Sequence, residues 1–453
     1  SLFVTDDGKN LVFTFILVSS LFLLWGLCNG MIDVMDKHFQ TELNLSKSQS
    51  AWVQFAHYLG YFLMAMPAGW LASRLGYKGG IITGLLMVAM GGFWFLPATH
   101  INALAHTGSV SPSTAFVGYL AGVCAIAAGL TFLETVANPY TTVLGPTRYA
   151  ATRINLAQSC NGVGWIFGPI IGGMFFYSKD AAGRSTGSET LYIPYLVVAI
   201  VVVMLAVVFY FAYIPDIKME DDYHLDDAAA GVSHSIWTHP HFVMAVAAQF
   251  LYVAAQAGIF SFFINYMTEE VPAIPASWQP DLLRQWFETD ASGILRISDQ
   301  GAANLASLGF VCFLIGRFTG AGLLKTFSAH KVLGLYGVLN VVACLLVFLK
   351  LGWVSVACVF LSYFFMSIMF PTIFALGIFG LGARAKKASA YIVMAIMGGA
   401  ILPKLMGYVA DQYDMSRGFI VPMACFAFVA YYGYNWPRFS GAKSMTVVKT
   451  AAG

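Results

Sequence analysis

Gly129 to Tyr140 reads G-L-T-F-L-E-T-V-A-N-P-Y and lies inside an apolar run that extends from about 114 to 145. A carboxylate, Glu134, and a carboxamide, Asn138, stand one helical turn apart in a stretch otherwise fit for hydrocarbon. Such a run is long enough to cross a bilayer, because a spanning helix needs about 20 mostly apolar residues. The rest of the chain has the same character: 58% of its 453 residues are hydrophobic and 10% are charged, with mean hydropathy +0.72. Soluble domains carry roughly 25% charged residues, so this supply cannot build a water-facing surface, and lipid is the expected partner. The net charge of +2 gives no reason to expect a nucleic acid.

Apolar runs fall at about 11–35, 50–73, 79–97, 114–145, 154–177, 190–213, 241–267, 303–325, 331–349, 353–380, 387–409 and 418–436. Backbone polar groups must be satisfied internally in lipid, so runs of this length are read as helices. A spanning barrel would show alternating ten-residue segments instead. The first run, Leu11 to Met35, exceeds a signal-peptide core and has no small-residue cleavage site after it, so a retained helix is expected. With twelve spans, one side holds both termini and the loops after spans 2, 4, 6, 8 and 10. That side carries fourteen Lys and Arg against eight on the other, which predicts cytoplasmic termini. The seven cysteines all lie within apolar runs and show no metal-ligand spacing, so they read as small hydrophobes. No cofactor is called for, and surface or loop positions are the default expectation for the nine histidines.

Two halves are visible. Residues 1–213 and 241–453 each hold six runs, and the acidic stretch 214–240 between them reads as a cytoplasmic linker. Gly69 to Lys78 matches Gly322 to Lys331, Pro139 to Gly145 matches Pro371 to Gly377, and Pro169 to Gly173 matches Pro403 to Gly407 at its ends. The offset drops by about twenty after the first pair, which a longer loop after span 3 than after span 9 would explain. Repeats in this order predict two pseudo-symmetric bundles with a site between them. Residues 268–302 form a long outer loop, in which 282–287 fits a short amphipathic helix at the interface.

Charge inside a span costs about 2.5–3.5 kcal/mol on insertion scales and tends to mark function or pairing. Asp33, Glu134, Arg317 and Lys404 are the four cases. Asn29 lies one turn before Asp33, as Asn138 lies one turn after Glu134. Asn155, Gln158 and Asn161 recur at a spacing of three, and Gln249 and Gln256 flank Tyr252 in span 7. Carboxylates and carboxamides interleaved with Trp25, Trp165, Tyr252 and Phe260 suit a sugar, whose hydroxyls pair with acids and amides while its ring face lies on aromatics. The competing reading is that these groups bond helix to helix. Arg317 fits a snorkelling position at the cytoplasmic end of span 8. Lys404 either faces the cavity, pairing with Asp33 or Glu134, or turns to the outer interface.

The chain resembles the major facilitator superfamily, and more closely its L-fucose:proton symporter family, over nearly its whole length. The resemblance rests on W-G-L-C-N-G-M-I-D (Trp25 to Asp33), the Gly129 to Tyr140 stretch, R-I-N-L-A-Q-S-C-N (Arg153 to Asn161), A-Q-F-L-Y-V-A-A-Q (Ala248 to Gln256), I-G-R-F-T-G (Ile315 to Gly320) and F-P-T-I-F-A-L-G (Phe370 to Gly377). It implies proton coupling at Asp33, sugar recognition at Glu134, and a cavity lined by Asn29, Gln158 and Asn161.

The expectation is therefore an all-α membrane protein with twelve transmembrane helices in two six-helix halves. It imports a monosaccharide by proton symport through alternating access, as a monomer, in a bacterial inner membrane. Asn138, Gln249, Gln256, Tyr252 and Lys404 complete the expected substrate-binding set. Sodium coupling, facilitated diffusion and a non-transporting sugar sensor are the alternatives. A sensor would normally append a signalling domain, for which the linker and tails are too short. An intramembrane hydrolase is disfavoured, because no span carries a His-Glu-x-x-His or Ser/Lys arrangement. Fucose, glucose, galactose, mannose and N-acetylated hexosamines all fit the residue pattern.

Overall fold

A computed structural model describes residues 3–4, 8–144, 150–181, 184–215, 235–275, 285–289, 292–379, 391–392 and 394–441; within them, a few helical side chains, including those of 138–139, 151–156 and 158, fall outside the description. Most of the 214–240 linker lies outside these residues. Ten helices among the described residues are long and apolar enough to cross a membrane. Two more complete the set. The 55-residue helix Trp52–His106 is broken at Gly76, where φ is 70° and ψ −177°, a backbone region glycine enters without strain. This divides it into helices 2 (52–75) and 3 (77–106). The other is Gly398–Gln412, helix 11, only 15 residues long.

Helix 1 runs Val12–Asp33 and resumes as Met35–Glu42. Helices 4, 5 and 6 are Pro112–Val143, Ala150–Phe176 and Tyr192–Phe211. Helix 7 runs Pro240–Ser261 and resumes as Phe263–Glu269. Helices 8 and 9 are Asp299–Thr326 and Ala329–Phe348. Helix 10 is split into Trp353–Met366 and Met369–Ile378, and helix 12 is Ile420–Ser440. The drop in repeat offset lies in helix length rather than in a loop. Helices 3 and 4 extend well beyond helices 9 and 10, while the loops that follow helices 3 and 9 are both short. Of the expected interfacial helix at 282–287, only 285–287 lie within the described residues, and its last residue departs from the expectation. Phe287–Thr289 is a strand, paired antiparallel with Leu295–Ile297, and 281–284 fall outside the description.

Helix 6 shows how each span divides its faces. Tyr195, Val198, Ala199, Val202 and Phe209 are buried, whereas Val197, Ile200, Met204, Val207 and Phe211 are exposed at three- to four-residue spacing. An exposed stripe of large apolar side chains has no place in water and a natural one in lipid.

Helices 1 and 5 are drawn together by interlocked G-x-x-x-G pairs, Gly26/Gly30 and Gly164/Gly168. A Cβ at Gly164 would lie 2.3 Å from the Leu23 carbonyl oxygen, and one at Gly168 would lie 2.6 Å from Gly30 Cα. Only the absence of side chains permits this approach, and tight backbone packing is the main attraction available between helices in lipid. It also lays Asn161 against Gly26, and so fixes one candidate polar residue beside helix 1. Helix 11 crosses to the other half in the same manner, with Gly399 packed on the Tyr58 ring of helix 2.

Candidate functional site

Helix 1 supplies the centre of the site. Asp33 is buried and its Oδ1 accepts a hydrogen bond from Gln54 Nε2 of helix 2 at 3.0 Å, while its Oδ2 has no partner among the described residues. One turn back, the Asn29 side chain reaches Tyr61 of helix 2. Trp25, a further turn back, donates its indole N–H to the Tyr61 hydroxyl. Glu134 of helix 4 approaches Tyr61 electrostatically and shares with Leu21, Phe22, Trp25, Leu133 and Ala137 a cavity of about 10 Å³, room for roughly one water. Asp33, Asn29 and Glu134 are thus joined through helix 2, by Gln54, Tyr58 and Tyr61.

That helix-2 face was absent from the sequence-based set. Its signal is the spacing 54, 58, 61, one face of a helix, hidden because glutamine and tyrosine are not costly enough in a span to attract notice. His57 is beside it, buried, with its ring 5.1 Å from those of both Tyr58 and Tyr61. The default placement of histidines at surfaces fails here, and again for His38, His241 and His330, all buried. Backbone carbonyls explain two of these: a His38 ring nitrogen sits 2.8 Å from Phe176 O, and one of His241 sits 2.9 Å from Phe379 O.

The opposite half contributes a different surface. Trp165 of helix 5 meets Phe310 of helix 8 at 4.9 Å and Phe260 of helix 7 at 5.6 Å between ring centroids. Phe260 in turn stacks on Tyr363 of helix 10 at 4.6 Å. These rings form an aromatic wall across the junction of the halves. Gln249 of helix 7 is fully buried, and both its amide atoms lack a partner among the described residues. Gln256 is half-buried.

Two expected sugar contacts are held elsewhere. The Tyr252 hydroxyl donates to the Met366 carbonyl at 2.9 Å. Met366 ends the first segment of helix 10, and its carbonyl has no onward helical partner, so Tyr252 acts as a brace. Lys404 is placed neither on Asp33 nor on Glu134. Its Nζ lies 3.6 Å over the centroid of Trp52, at the start of helix 2, a cation–π contact worth about 0.5–2 kcal/mol depending on desolvation. Arg317 is half-buried with its guanidinium 5.0 Å from the Phe313 ring. The side chains of Asn138, Asn155 and Gln158 lie outside the described residues.

At the end of the bundle away from the termini, the halves are tied by polar contacts. Asp411, at the end of helix 11, accepts from the backbone N–H groups of Lys47 and Ser48 at 2.9 and 2.8 Å. Glu269 pairs with Lys47 at 3.0 Å and more loosely with Lys37 at 3.8 Å. Gln40 and Asn265 exchange amide hydrogen bonds of 3.2 and 2.6 Å. Lys179 reaches Glu288 at 3.2 Å. The far end of the bundle is therefore closed.

Twelve helices in two halves, with a buried acid on helix 1 and a half-buried one on helix 4, define a transporter fold. A sequence model of the Major Facilitator Superfamily matches residues 14–277, and the chain belongs to that superfamily. It is 34% identical to the L-fucose-proton symporter of Escherichia coli strain K12, over 93% of each chain. It is 30% identical to a glucose/galactose transporter of Brucella abortus, over 95% of each. Among solved structures, a Major Facilitator Superfamily transporter crystallised in the outward conformation is 33% identical and superposes with a TM-score of 0.63, covering 94% of this chain and 99% of that one.

Proposed function

We propose that this protein is a proton-coupled importer of a monosaccharide, working by alternating access in a bacterial inner membrane with both termini in the cytoplasm. The observation that carries the reading is Asp33: a buried carboxylate, half-satisfied by Gln54 and joined through helix 2 to the Asn29–Tyr61–Glu134 cluster. A carboxylate so placed is stabilised by taking up a proton, because an unpaired charge in an apolar surrounding is costly. Uptake of a proton there and of sugar hydroxyls at Glu134, Asn29 and Asn161 would fall on polar groups gathered along one face of helix 2, Gln54 on Asp33 and Tyr61 beside Asn29 and Glu134, so each would favour the other. The names of the relatives, a fucose-proton symporter and a glucose/galactose transporter, support a hexose or deoxyhexose.

The aromatic wall of Trp165, Phe260 and Phe310 offers the apolar ring face that a sugar needs opposite these polar groups. Gln249 and Gln256 would complete the pocket from the second half when the halves close, and Gln158 and Asn138 would join from helices 5 and 4. Lys404 and Tyr252 are left out of this set, since each is already engaged. The contacts of Asp411, Glu269 and Asn265 then form the outer gate, shut in this conformation. A TM-score of 0.63 to a relative in the outward conformation, at 33% identity, supports halves that are tilted differently.

The test is direct binding. Isothermal calorimetry of purified protein with L-fucose, D-galactose and D-glucose, at pH 6 and pH 8 in buffers of different ionisation enthalpy, should show proton uptake linked to binding of at least one of them. Binding with no linked proton at either pH would leave facilitated diffusion or sodium coupling.

A further inference from the structure

Asp36 is fully buried, one turn beyond Asp33, and neither of its carboxylate oxygens has a hydrogen-bond partner among the described residues. The Ser261 hydroxyl of helix 7 lies within hydrogen-bonding reach of it, but its proton is committed to the Ala257 carbonyl at 2.9 Å. Such a group is out of place as a structural residue. A leucine would fill the space without the desolvation cost, and a carboxylate serving as glue would have a donor.

Its position is equally specific. Helix 1 breaks at Val34, between Asp33 and Asp36, and Tyr177 donates its hydroxyl to the Val34 carbonyl released by the break. Helix 7 breaks at Phe262, immediately after Ser261. The two breaks are therefore neighbours across the junction of the halves, with Asp36 between them. One further turn out, Gln40 takes part in the far-end closure through Asn265 and Ser50. Asp33, Asp36 and Gln40 thus form a ladder from the centre to the outer gate. Asp33 lies within electrostatic reach of Asp36, close enough for one water to bridge the two carboxyls.

Resting on the proton-symport reading above, we infer that Asp36 is a proton-transfer group. When the outer contacts part, a proton from the outer vestibule bonds to a carboxylate oxygen of Asp36. It then passes to ionised Asp33, breaking one O–H bond and forming another with no change in net charge. Closure of Gln40 on Asn265 seals the path behind it. The ionisable groups facing Asp36 are Asp33 on its own helix and Tyr177 from the end of helix 5, with Asp299 of helix 8 behind Tyr177. The helix 7 side presents Ser261, which does not titrate, and the His38 ring is turned to Phe176 O. No cation is placed to hold Asp36 ionised among these residues.

The experiment uses the full-length protein in proteoliposomes with radiolabelled L-fucose and D-galactose, and an internal pH dye to count protons. Asp36→Asn should lower the initial rate of proton-driven accumulation by about ten-fold or more, increasingly so as the outer pH rises. Sugar counterflow at equal pH and the proton-to-sugar ratio should stay at wild-type values, and Asp36→Glu should restore most of the rate. Wild-type rates at every pH in Asp36→Asn would overturn the inference, as would a parallel loss of counterflow, which marks a structural role. A second readout does not depend on transport. Infrared difference spectra on a pH step, in protein carrying Asp33→Asn and Glu134→Gln, should retain a protonated-carboxyl band that Asp36→Asn or Asp36→Glu removes or shifts. An unchanged band again overturns it. Wild-type protein that accumulates neither sugar on a proton gradient would instead remove the symport reading, and this inference with it.

Discussion

Asp33 and Glu134 occupy the same polar network but differ in what surrounds them. Asp33 has one donor, Gln54, and a second oxygen free to take a proton, whereas Glu134 is half-buried beside Trp25, Tyr61 and a cavity. Asp33→Asn should reduce proton-driven uptake to simple equilibration and leave counterflow measurable, because the amide keeps the Gln54 contact and loses only the titrating oxygen. Gradient-driven accumulation by the mutant at the wild-type level would remove Asp33 from coupling. Glu134→Gln exchanges a charge-assisted hydrogen bond for a neutral one, worth about 1.5 kcal/mol or more. The dissociation constant for the transported sugar should rise about ten-fold by calorimetry, while the pH dependence of uptake keeps its shape. Both residues were legible in the sequence because a carboxylate in a span is expensive and stands out. Tyr61 and Gln54 were not, since they cost little there. Asp36 was passed over because Lys37 and His38 follow it, so that it read as the first residue beyond the membrane.

Elements carry information that composition alone conceals. The breaks at Val34 and Phe262 have neither proline nor glycine at the break residue, so no local signal marks them. They arise from tertiary contacts, such as Tyr177 on the Val34 carbonyl. By contrast, the helix 1–helix 5 seam carries a local signal, the paired G-x-x-x-G spacing, though the seam was not among the sequence-based expectations. Gly164→Ala forces a methyl to within 2.3 Å of Leu23 O, and overpacking of this kind costs about 1–3 kcal/mol. Thermal unfolding in detergent should begin several degrees lower, and an unshifted midpoint would contradict the packing. The far-end contacts proposed as the outer gate are individually weak. Exposed ion pairs such as Lys179–Glu288 contribute about 0–1 kcal/mol each, which suits a contact that must break in every cycle. Asp411→Ala removes the acceptor of two backbone N–H groups. Loss of about 1.4 kcal/mol would shift the open-to-closed ratio about ten-fold. Spin labels at Ser109 and Tyr413, on the two halves, should then show a larger long-distance population; an unaltered distance distribution would exclude Asp411 from the gate.

For the whole molecule, the repeat pattern foretold two halves, and the described spans fell where the apolar runs place them except that helix 11 begins at Gly398, well inside the run at 387–409. What the repeats could not convey is asymmetry between the halves. The polar network of Asp33, Asn29, Tyr61 and Glu134 belongs to helices 1, 2 and 4, whereas the second half offers aromatic rings and the two glutamines of helix 7. A sugar bound between them would be gripped by acids and amides on one side and by apolar rings on the other, and rocking of the halves would expose it to each side in turn. The central claim is that a proton gradient moves a monosaccharide through this chain. The most direct measurement is uptake of radiolabelled L-fucose, D-galactose and D-glucose by proteoliposomes under an imposed proton gradient, a sodium gradient, or neither. Accumulation of at least one sugar above its external concentration, driven by the proton gradient, abolished by a protonophore and indifferent to sodium, is the predicted result. Accumulation under sodium alone, or equilibration that no gradient alters, would contradict it.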